Sequence, residues 1–292
     1  MLDAKWSRER QRRLLAEMAR RRLDAVVVAR PEHVYYFSAA KPHWLQAGAF
    51  VLFADGRSWL TSGNNPASDS AADDSVSYEA SWCSTLRQEQ PAVVAQQVND
   101  QLKSRRAREV GIDSSAVTAQ LALRLDGVGA EPIDPVLWQM RRVKDPDELS
   151  LMQDALRIAE AMYARAREIV APGADEVAVF AQLSEAAIRA AKEPLTALLG
   201  NDFTSGGGGG PPRRGRKMND GEIYVLDLGP CYRGYFSDVC RSISVNRRPT
   251  AAQMKAWQSI IEALSMVERL ARPGARCREI YDEVAEHLKQ AH

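Results

Sequence analysis

The chain has 292 residues, 45% of them hydrophobic, and its 39 basic residues almost balance its 38 acidic ones. This length is enough for two ordinary domains, each with its own core. The even charge balance argues against a nucleic acid or an anionic membrane as the partner.

Neither a membrane span nor a signal peptide is predicted. No apolar run approaches the length of a bilayer-crossing segment, and the opening residues M-L-D-A-K-W-S-R-E-R lack an apolar region. The four cysteines are few for the length and form no C-x-x-C pair. We therefore expect reduced thiols in a cytoplasmic protein, without a disulfide between Cys231 and Cys240.

The first half of the chain alternates between helical and strand patterns. Residues 5–22 predict an arginine-rich amphipathic helix whose arginines form a solvated face. The run D-A-V-V-V-A that follows predicts a buried strand of the parallel type, and the Asp55-Gly56 pair predicts a hairpin. Helical patterns at 92–104 and 118–125 flank the strand R-E-V-G-I-D. This alternation is typical of an α/β domain.

The second half contains an internal repeat of two helix pairs. The predicted helices cover residues 146–170 and 175–191 in the first pair, and 250–271 and 276–291 in the second. Superposing Pro172-Gly173 on Pro273-Gly274 aligns apolar positions with each other. The aligned positions are Tyr163 with Leu264, Ile169 with Leu270, Phe180 with Tyr281, and Leu183 with Val284. Because only the first pair is followed by strands, the second is expected to keep an uncovered face.

Residues 221–245 carry the stretch that we expect to hold the chemistry. Two β-branched and aromatic runs flank a Gly/Pro-containing centre, which predicts an antiparallel hairpin. With Tyr232 and Arg233 at the turn, Asp227 faces Asp238 at about 5 Å between β-carbons. Two like charges this close are destabilising, and a pair of hard divalent ions would neutralise them. In the alternative interpretation the aspartates lie in water at strand ends, or pair with an arginine such as Arg241 or Arg233.

The pattern D-L-G-x-x-Y-x-G-Y-x-S-D-V-x-R in this stretch resembles the first metal-binding signature of the creatinase, aminopeptidase P and prolidase family of pita-bread metallopeptidases. The first half resembles the family's creatinase-type N-terminal domain, through L-D-A-V-V-V-A-R-P-E-H-V-Y-Y-F-S and R-E-V-G-I-D. The run W-Q-M-R-R-V-K-D-P-D-E-L resembles the junction between the family's domains. The resemblance implies an α/β domain at 1–142, with a mixed sheet and flanking helices. It also implies an α+β pita-bread domain at 143–292, with the first repeat and only the helices of the second.

The resemblance further implies that Asp227 and Asp238 are ligands of two divalent metal ions, with manganese favoured over cobalt or zinc. It implies a homodimer that hydrolyses the peptide bond next to proline in proline-containing peptides, using a metal-activated water. Whether such an enzyme is aminopeptidase P-like or prolidase-like stays open. No catalytic residue is identified in the chain, and no substrate-binding residue is assigned.

The chain departs from the family pattern in its ligand set. The family supplies a histidine and two glutamates from later segments, so we expect an N-terminal part of a longer enzyme, inactive by itself. The remaining histidines and the late glutamates are predicted to be solvated, loop or packing residues. They are His33, His43, His287, His292, Glu262, Glu268, Glu279, Glu283 and Glu286.

A second departure precedes the hairpin, where many family members carry a substrate-facing histidine. Residues 206–210 are five glycines, which predict a mobile loop at the mouth of the cleft. A phosphate cradle is the alternative, with Arg213, Arg214, Arg216 and Lys217 as the cations. The departures keep two other functions open, a non-catalytic module that binds peptide or protein and a creatinase-like C–N hydrolase.

Overall fold

The computed structural model describes residues 1–64, 69–116, 118–125, 127–195 and 200–291, which form two compact units. The first unit contains Met1–Gln153 and Arg233–Tyr235, and the second contains the remaining residues. Among the described helices, none combines the length and the apolarity that a bilayer crossing requires. Cys83, Cys231, Cys240 and Cys277 are thiols, with no disulfide among the residues that the structure describes.

The first unit is built on a mixed six-stranded sheet in the order β4-β3-β2-β1-β7-β8. Its helices are α1 (Ala4–Arg21), α2 (Pro31–Ser38), α3 (Gln90–Ser104), α4 (Ala119–Arg124) and α5 (Asp134–Arg142). Its strands are β1 (Ala25–Val28), β2 (Ala49–Phe53), β3 (Ser58–Gly63), β4 (Asp74–Tyr78), β7 (Glu109–Ile112) and β8 (Gly129–Pro132), with the short pair β5 (Ser81–Trp82) and β6 (Thr85–Leu86) beside them. Strand β1 runs antiparallel to β2 and parallel to β7, so the predicted mixed sheet is confirmed.

Strand β1 lies at the centre of this sheet because every one of its residues is apolar. Val26 points to one side and packs in a cluster with Leu14 of α1. Val27 points to the other and packs in a cluster with Val98 of α3. Helices therefore cover both faces, as a continuous apolar strand requires.

The prediction that the arginines of α1 form a solvated face is wrong for one of them. Arg10 is fully buried, with its guanidinium over the ring of Tyr36 and within reach of three carboxylates. Helical periodicity predicts a polar residue such as arginine on the solvent-exposed side of a helix. Here the charge is instead compensated by acidic partners more than 130 residues away in the sequence, which no local pattern reveals.

The second unit packs a small antiparallel sheet on the first helix pair. It contains most of α6 (Pro146–Ile169), followed by α7 (Glu176–Ala191), and the sheet has the order β13-β10-β9. The strands are β9 (Gly200–Ser205), β10 (Ile223–Leu228) and β13 (Val239–Ser244), with β11 (Cys231–Tyr232) and β12 (Tyr235–Phe236) at the hairpin tip. Alternate residues of β10 pack into the helices, namely Tyr224, Leu226 and Leu228. The intervening positions form the opposite, half-buried face, and Asp227 is one of them.

The second helix pair is α8 (Ala251–Leu270) and α9 (Cys277–Ala291). Thr250 and Gln253 form the predicted capping box at the start of α8. Gly173 and Gly274, which close the long helices of the two pairs, have the same left-handed conformation, with φ of +85° and +89°. The repeat predicted from the sequence therefore extends to backbone geometry.

Candidate metal centre

The hairpin that carries Asp227 and Asp238 forms, but its register differs from the predicted one. Asp227 faces Cys240 on β13, and Asp238 lies just before that strand. The two-residue turn is Arg233-Gly234, one residue later than predicted, and both residues have positive φ. A turn displaced by one residue shifts the pairing by two, which keeps each side chain on its face. Asp238 thus becomes a diagonal neighbour of Asp227 instead of its direct partner.

The neighbours of Asp227 come from both adjoining strands. Asp202 of β9 faces it on one side and Cys240 on the other, so three side chains form a row across the half-buried face. Burial is the largest influence that raises the pKa of the Cys240 thiol. The negative charges of Asp227, Asp202 and Asp238 raise this pKa further, and the charge of Arg241 lowers it.

Asp202 and Cys240 were not identified from the sequence. Residues 200–205 read G-N-D-F-T-S, with one apolar side chain, and no strand is predicted there. Phe203 is buried beside Asp202, but one apolar residue does not establish a strand pattern. The guanidinium of Arg241, the alternative partner of the aspartates, donates to the carbonyl oxygen of Cys240 at 2.8 Å.

A buried tyrosine lies behind the aspartates, on the helical side of the sheet. The hydroxyl of Tyr163 in α6 is 2.9 Å from the carbonyl oxygen of Leu226 and 2.5 Å from that of Val239. Leu226 precedes Asp227, and Val239 follows Asp238. One side chain of the first helix pair therefore fixes the spacing of β10 and β13 beside both predicted ligands.

The five glycines lie beside the same face and are anchored to β9. The amide of Gly210 donates to the Asp202 carboxylate, and the hydroxyl of Thr204 donates to the carbonyl oxygen of Gly208 at 3.1 Å. The loop therefore contacts a carboxylate that lies next to Asp227. The mobile loop at the mouth of the cleft and the alternative phosphate cradle both stay predictions.

A buried glutamate closes the base of this loop. Glu176 at the start of α7 accepts hydrogen bonds from Ser205, which precedes the glycines, and from Arg213, which follows them. Burial opposes ionisation, but the bonds from Arg213 and Ser205 outweigh it and lower the pKa of Glu176 to about 2. The carboxylate therefore stays charged and clamps both ends of the loop.

The residues around Asp227 fit a hard divalent ion. Asp227 and Asp238 offer carboxylate oxygens, the ligand type that such ions prefer, and Asp202 lies opposite Asp227. The face that carries Asp227 is half-buried, and Asp238 is exposed, so solvent ions can reach them. These features support the assignment of Asp227 and Asp238 as metal ligands, which stays a prediction.

A different acidic cluster occurs in the first unit, where Asp145, Asp147 and Glu148 bring oxygens within 4.8 Å of one another. Arg10 contacts all three carboxylates, and Arg13 binds Asp145 at 2.6 Å. Burial alone would raise the pKa of Asp145, but the bonds and charges of Arg13 and Arg10 lower it overall. Guanidinium groups thus supply the charge compensation that a cation would otherwise provide, and we assign this cluster a structural role.

Among the described residues, the three histidines have no contact that suggests metal binding. His33 is buried and its Nδ1 lies 2.7 Å from Asp113, which agrees with the predicted packing role. His43 lies 3.3 Å from the amide of Leu45 in a connecting segment, and His287 is 3.6 Å from Glu262 on the neighbouring helix. His292 falls outside the described residues.

Comparison with known proteins gives a family for both halves. Residues 10–143 match the Creatinase/Prolidase N-terminal domain, and residues 150–292 match Metallopeptidase family M24. An Xaa-Pro dipeptidase of Pyrococcus horikoshii is 23% identical over 291 residues, covering 96% of this chain and 76% of that protein. An Xaa-Pro aminopeptidase of Escherichia coli is 29% identical over 151 residues, or 51% of this chain and 34% of that protein.

Solved structures show the same fold. A prolidase from Pyrococcus horikoshii OT3 superposes with a TM-score of 0.78 at 20% identity, covering 97% of this chain and 78% of that one. The prolidase from Pyrococcus furiosus gives a TM-score of 0.73 at 21% identity, with 94% and 78% covered. The two sequence matches and the shared architecture agree with the motif around Asp227. The chain therefore belongs to the creatinase, aminopeptidase P and prolidase family of pita-bread metallopeptidases and carries its creatinase-type N-terminal domain.

Proposed function

We propose that the protein takes part in metal-dependent hydrolysis of the peptide bond next to proline, with Asp227 and Asp238 as ligands of two divalent ions, manganese first among them. The observation that carries the proposal is the signature hairpin, in which Asp227 faces Cys240 and Asp238 directly precedes Val239, the partner of Leu228. The relatives named Xaa-Pro dipeptidase and Xaa-Pro aminopeptidase support the substrate class. Domain boundaries at 142 and 143, a cytoplasmic location and a homodimer belong to the same proposal.

The chain's own residues would hold and orient the ions. Asp227 would bind through an oxygen on the open face of β10, and Asp238 would bind from the start of β13. Tyr163 would keep the two strands at a fixed spacing from behind. When bound, the ions would lower the pKa of a water and polarise the scissile carbonyl. The residue that takes up the proton of that water is not identified in this chain.

A second candidate is a module that binds peptide or protein without cleaving it. The sequence has no histidine between His43 and His287. Many members of the family carry a substrate-facing histidine within this interval, so its absence favours the binding module. The anchored glycine loop fills that place here. A binding module would share the metal and the fold with the enzyme but would lack turnover.

The test combines a metal titration with an assay. We expect calorimetry to detect weak manganese binding to the wild-type chain, and weaker binding to Asp227→Asn and to Asp238→Asn. Asp220→Asn, which alters an exposed carboxylate just before β10, is the matched control and should bind as the wild type does. Unchanged affinity in both Asp227→Asn and Asp238→Asn would overturn the metal assignment.

The assay uses an Xaa-Pro dipeptide and a longer peptide that begins Xaa-Pro. With manganese present, we expect little or no turnover by this 292-residue chain. Robust turnover would show that its residues complete a catalytic site. Binding of the longer peptide without cleavage would favour the second candidate.

A further inference from the structure

The strand that faces Asp227 contains an irregularity at that very position. On β9, Asp202 pairs with Asp227, but the next residue of β10, Leu228, pairs with Gly200. Asn201 is therefore an extra residue that the ladder leaves unpaired, which defines a β-bulge. Bulges of this kind redirect a side chain, and they are frequent next to active sites.

The bulge depends on Gly200. A β-carbon at this position would lie 2.0 Å from the carbonyl oxygen of Asp227 and 2.9 Å from the Cα of Leu228. Both atoms belong to the backbone and cannot move aside as a flexible side chain would. Glycine thus allows β9 to approach β10 closely at this point, and the chain accommodates the approach by displacing Asn201 from the ladder.

The displaced side chain reaches the predicted ligand. The amide nitrogen of Asn201 donates to Oδ2 of Asp227 at 3.1 Å. A carboxylate has about four lone-pair sites, so this bond leaves positions free for an ion while it restricts the rotation of the group. The neighbouring Asp202 cannot do the same, because its side chain accepts from the amide of Gly210 and a carboxylate has no proton to donate.

We propose that Asn201 is a positioning residue that orients the carboxylate of Asp227 for metal binding, an inference that rests on the proposed function. Hydrogen bonds from a second layer of residues fix the direction of a ligand before the ion arrives. Loss of such a partner typically lowers metal affinity 10- to 100-fold. Gly200 has a supporting role, because it creates the bulge from which Asn201 reaches the carboxylate.

The test measures manganese affinity by calorimetry in the wild-type chain, in Asn201→Ala and in Asn219→Ala. Asn219 is a matched control because its exposed amide donates to another carboxylate of this unit, that of Glu222, at 2.9 Å. We expect Asn201→Ala to bind manganese about 10- to 100-fold more weakly, and Asn219→Ala to bind it as the wild type does. Because Asn201 is exposed, its replacement should leave the urea unfolding midpoint unchanged.

A second measurement separates orientation of the ligand from a general loss of structure. With cobalt at saturation, the visible absorption spectrum reports the geometry around the ion. We expect this spectrum to differ between Asn201→Ala and the wild type and to be identical for Asn219→Ala. Wild-type affinity together with a wild-type spectrum in Asn201→Ala would overturn the inference.

The outcome for the proposed function can be distinguished from the outcome for Asn201. If Asp227→Asn weakens binding and Asn201→Ala does not, Asp227 remains a ligand and only the role of Asn201 is refuted. If Asp227→Asn and Asp238→Asn both bind as the wild type does, the metal assignment itself is wrong, and Asn201 has no ligand to position.

Discussion

The two helix pairs of the second unit have apolar residues at matching positions but different surroundings. In the first pair, Tyr163 is 7% exposed and packs under the sheet, whereas its counterpart Leu264 in α8 is 52% exposed. Phe180 packs edge-on against Phe203 of β9 with ring centroids 4.9 Å apart. Its counterpart Tyr281 is 69% exposed. The same apolar pattern is thus buried in one pair and open to solvent in the other.

The difference shows which features are local and which depend on the sheet. Helix formation, side-chain capping and the Pro-Gly turns occur in both pairs, because each depends on residues close in sequence. Burial differs because β9, β10 and β13 cover only the first pair in the part of the chain that the structure describes. The same three strands carry Asp202, Asp227 and Cys240, so the sheet both stabilises the first pair and presents the candidate metal ligands.

The largest contrast is expected from one side-chain change made in each pair. Leu183 of α7 is completely buried, so Leu183→Ala should reduce the free energy of unfolding by about 2 to 5 kcal/mol. Leu264→Ala removes the same atoms from an exposed site and should change the free energy of unfolding by less than about 0.5 kcal/mol. Urea unfolding monitored by circular dichroism measures both. Equal losses would mean that α8 is covered as well as α7.

A smaller, pH-dependent contrast is expected at Glu176. Because its pKa falls from 4.5 to about 2 on folding, the charged carboxylate contributes stability above its unfolded pKa. That contribution is lost as the pH falls towards 2. At pH 7, Glu176→Gln should lower the free energy of unfolding by about 2 to 3 kcal/mol. The gap between wild type and variant should then narrow between about pH 5 and pH 2.

Glu279→Gln is the control for this measurement, because Glu279 lies in the first turn of α9 with an exposed side chain. Glu279→Gln should change the free energy of unfolding little at any pH between 7 and 2. A gap for Glu176→Gln that stays constant from pH 7 to pH 2 would contradict the assigned role of the glutamate charge.

The smallest effect is expected at the helix caps, of which one is taken from each pair. The Asp175 side chain accepts from the amides of Val177 and Ala178 at the start of α7, and Thr250 accepts from Gln253 at the start of α8. Asp175→Ala and Thr250→Ala should each cost about 1 kcal/mol in urea unfolding. A much larger loss for Asp175→Ala would indicate that its cap depends on the sheet, contrary to the local origin argued above.

The sequence predicted the features that depend on short-range patterns. The helices of both pairs begin and end within a residue or two of their predicted limits, and the hairpin at Asp55-Gly56 forms between β2 and β3 as expected. The choice of Asp227 and Asp238 rested on the predicted register and on the motif. The register was wrong, because Asp227 faces Cys240, but the motif supports the same two residues. The fold class followed from the alternation of elements and from the family resemblance, and it is confirmed.

The errors and omissions concern contacts between distant segments. The predicted register was wrong by two residues because the turn lies at Arg233-Gly234. Arg233 adopts a positive φ there, which the sequence does not predict for an arginine. The burial of Arg10 required the carboxylates of Asp145 and Asp147. The bulge at Asn201 required the close approach of Gly200 to the backbone of Asp227. In each case the deciding partner lies in another element, beyond the range of periodicity or turn propensity.

The most direct test of the central claim is a crystal structure with manganese, using the anomalous signal of the metal to locate it. Our account predicts a peak on the half-buried face of β10, within about 2 to 2.6 Å of carboxylate oxygens of Asp227 and Asp238, with the Asn201 amide still bonded to Asp227. A peak only at other sites, such as Asp145 and Glu148, or none at Asp227 at saturating manganese, would contradict it.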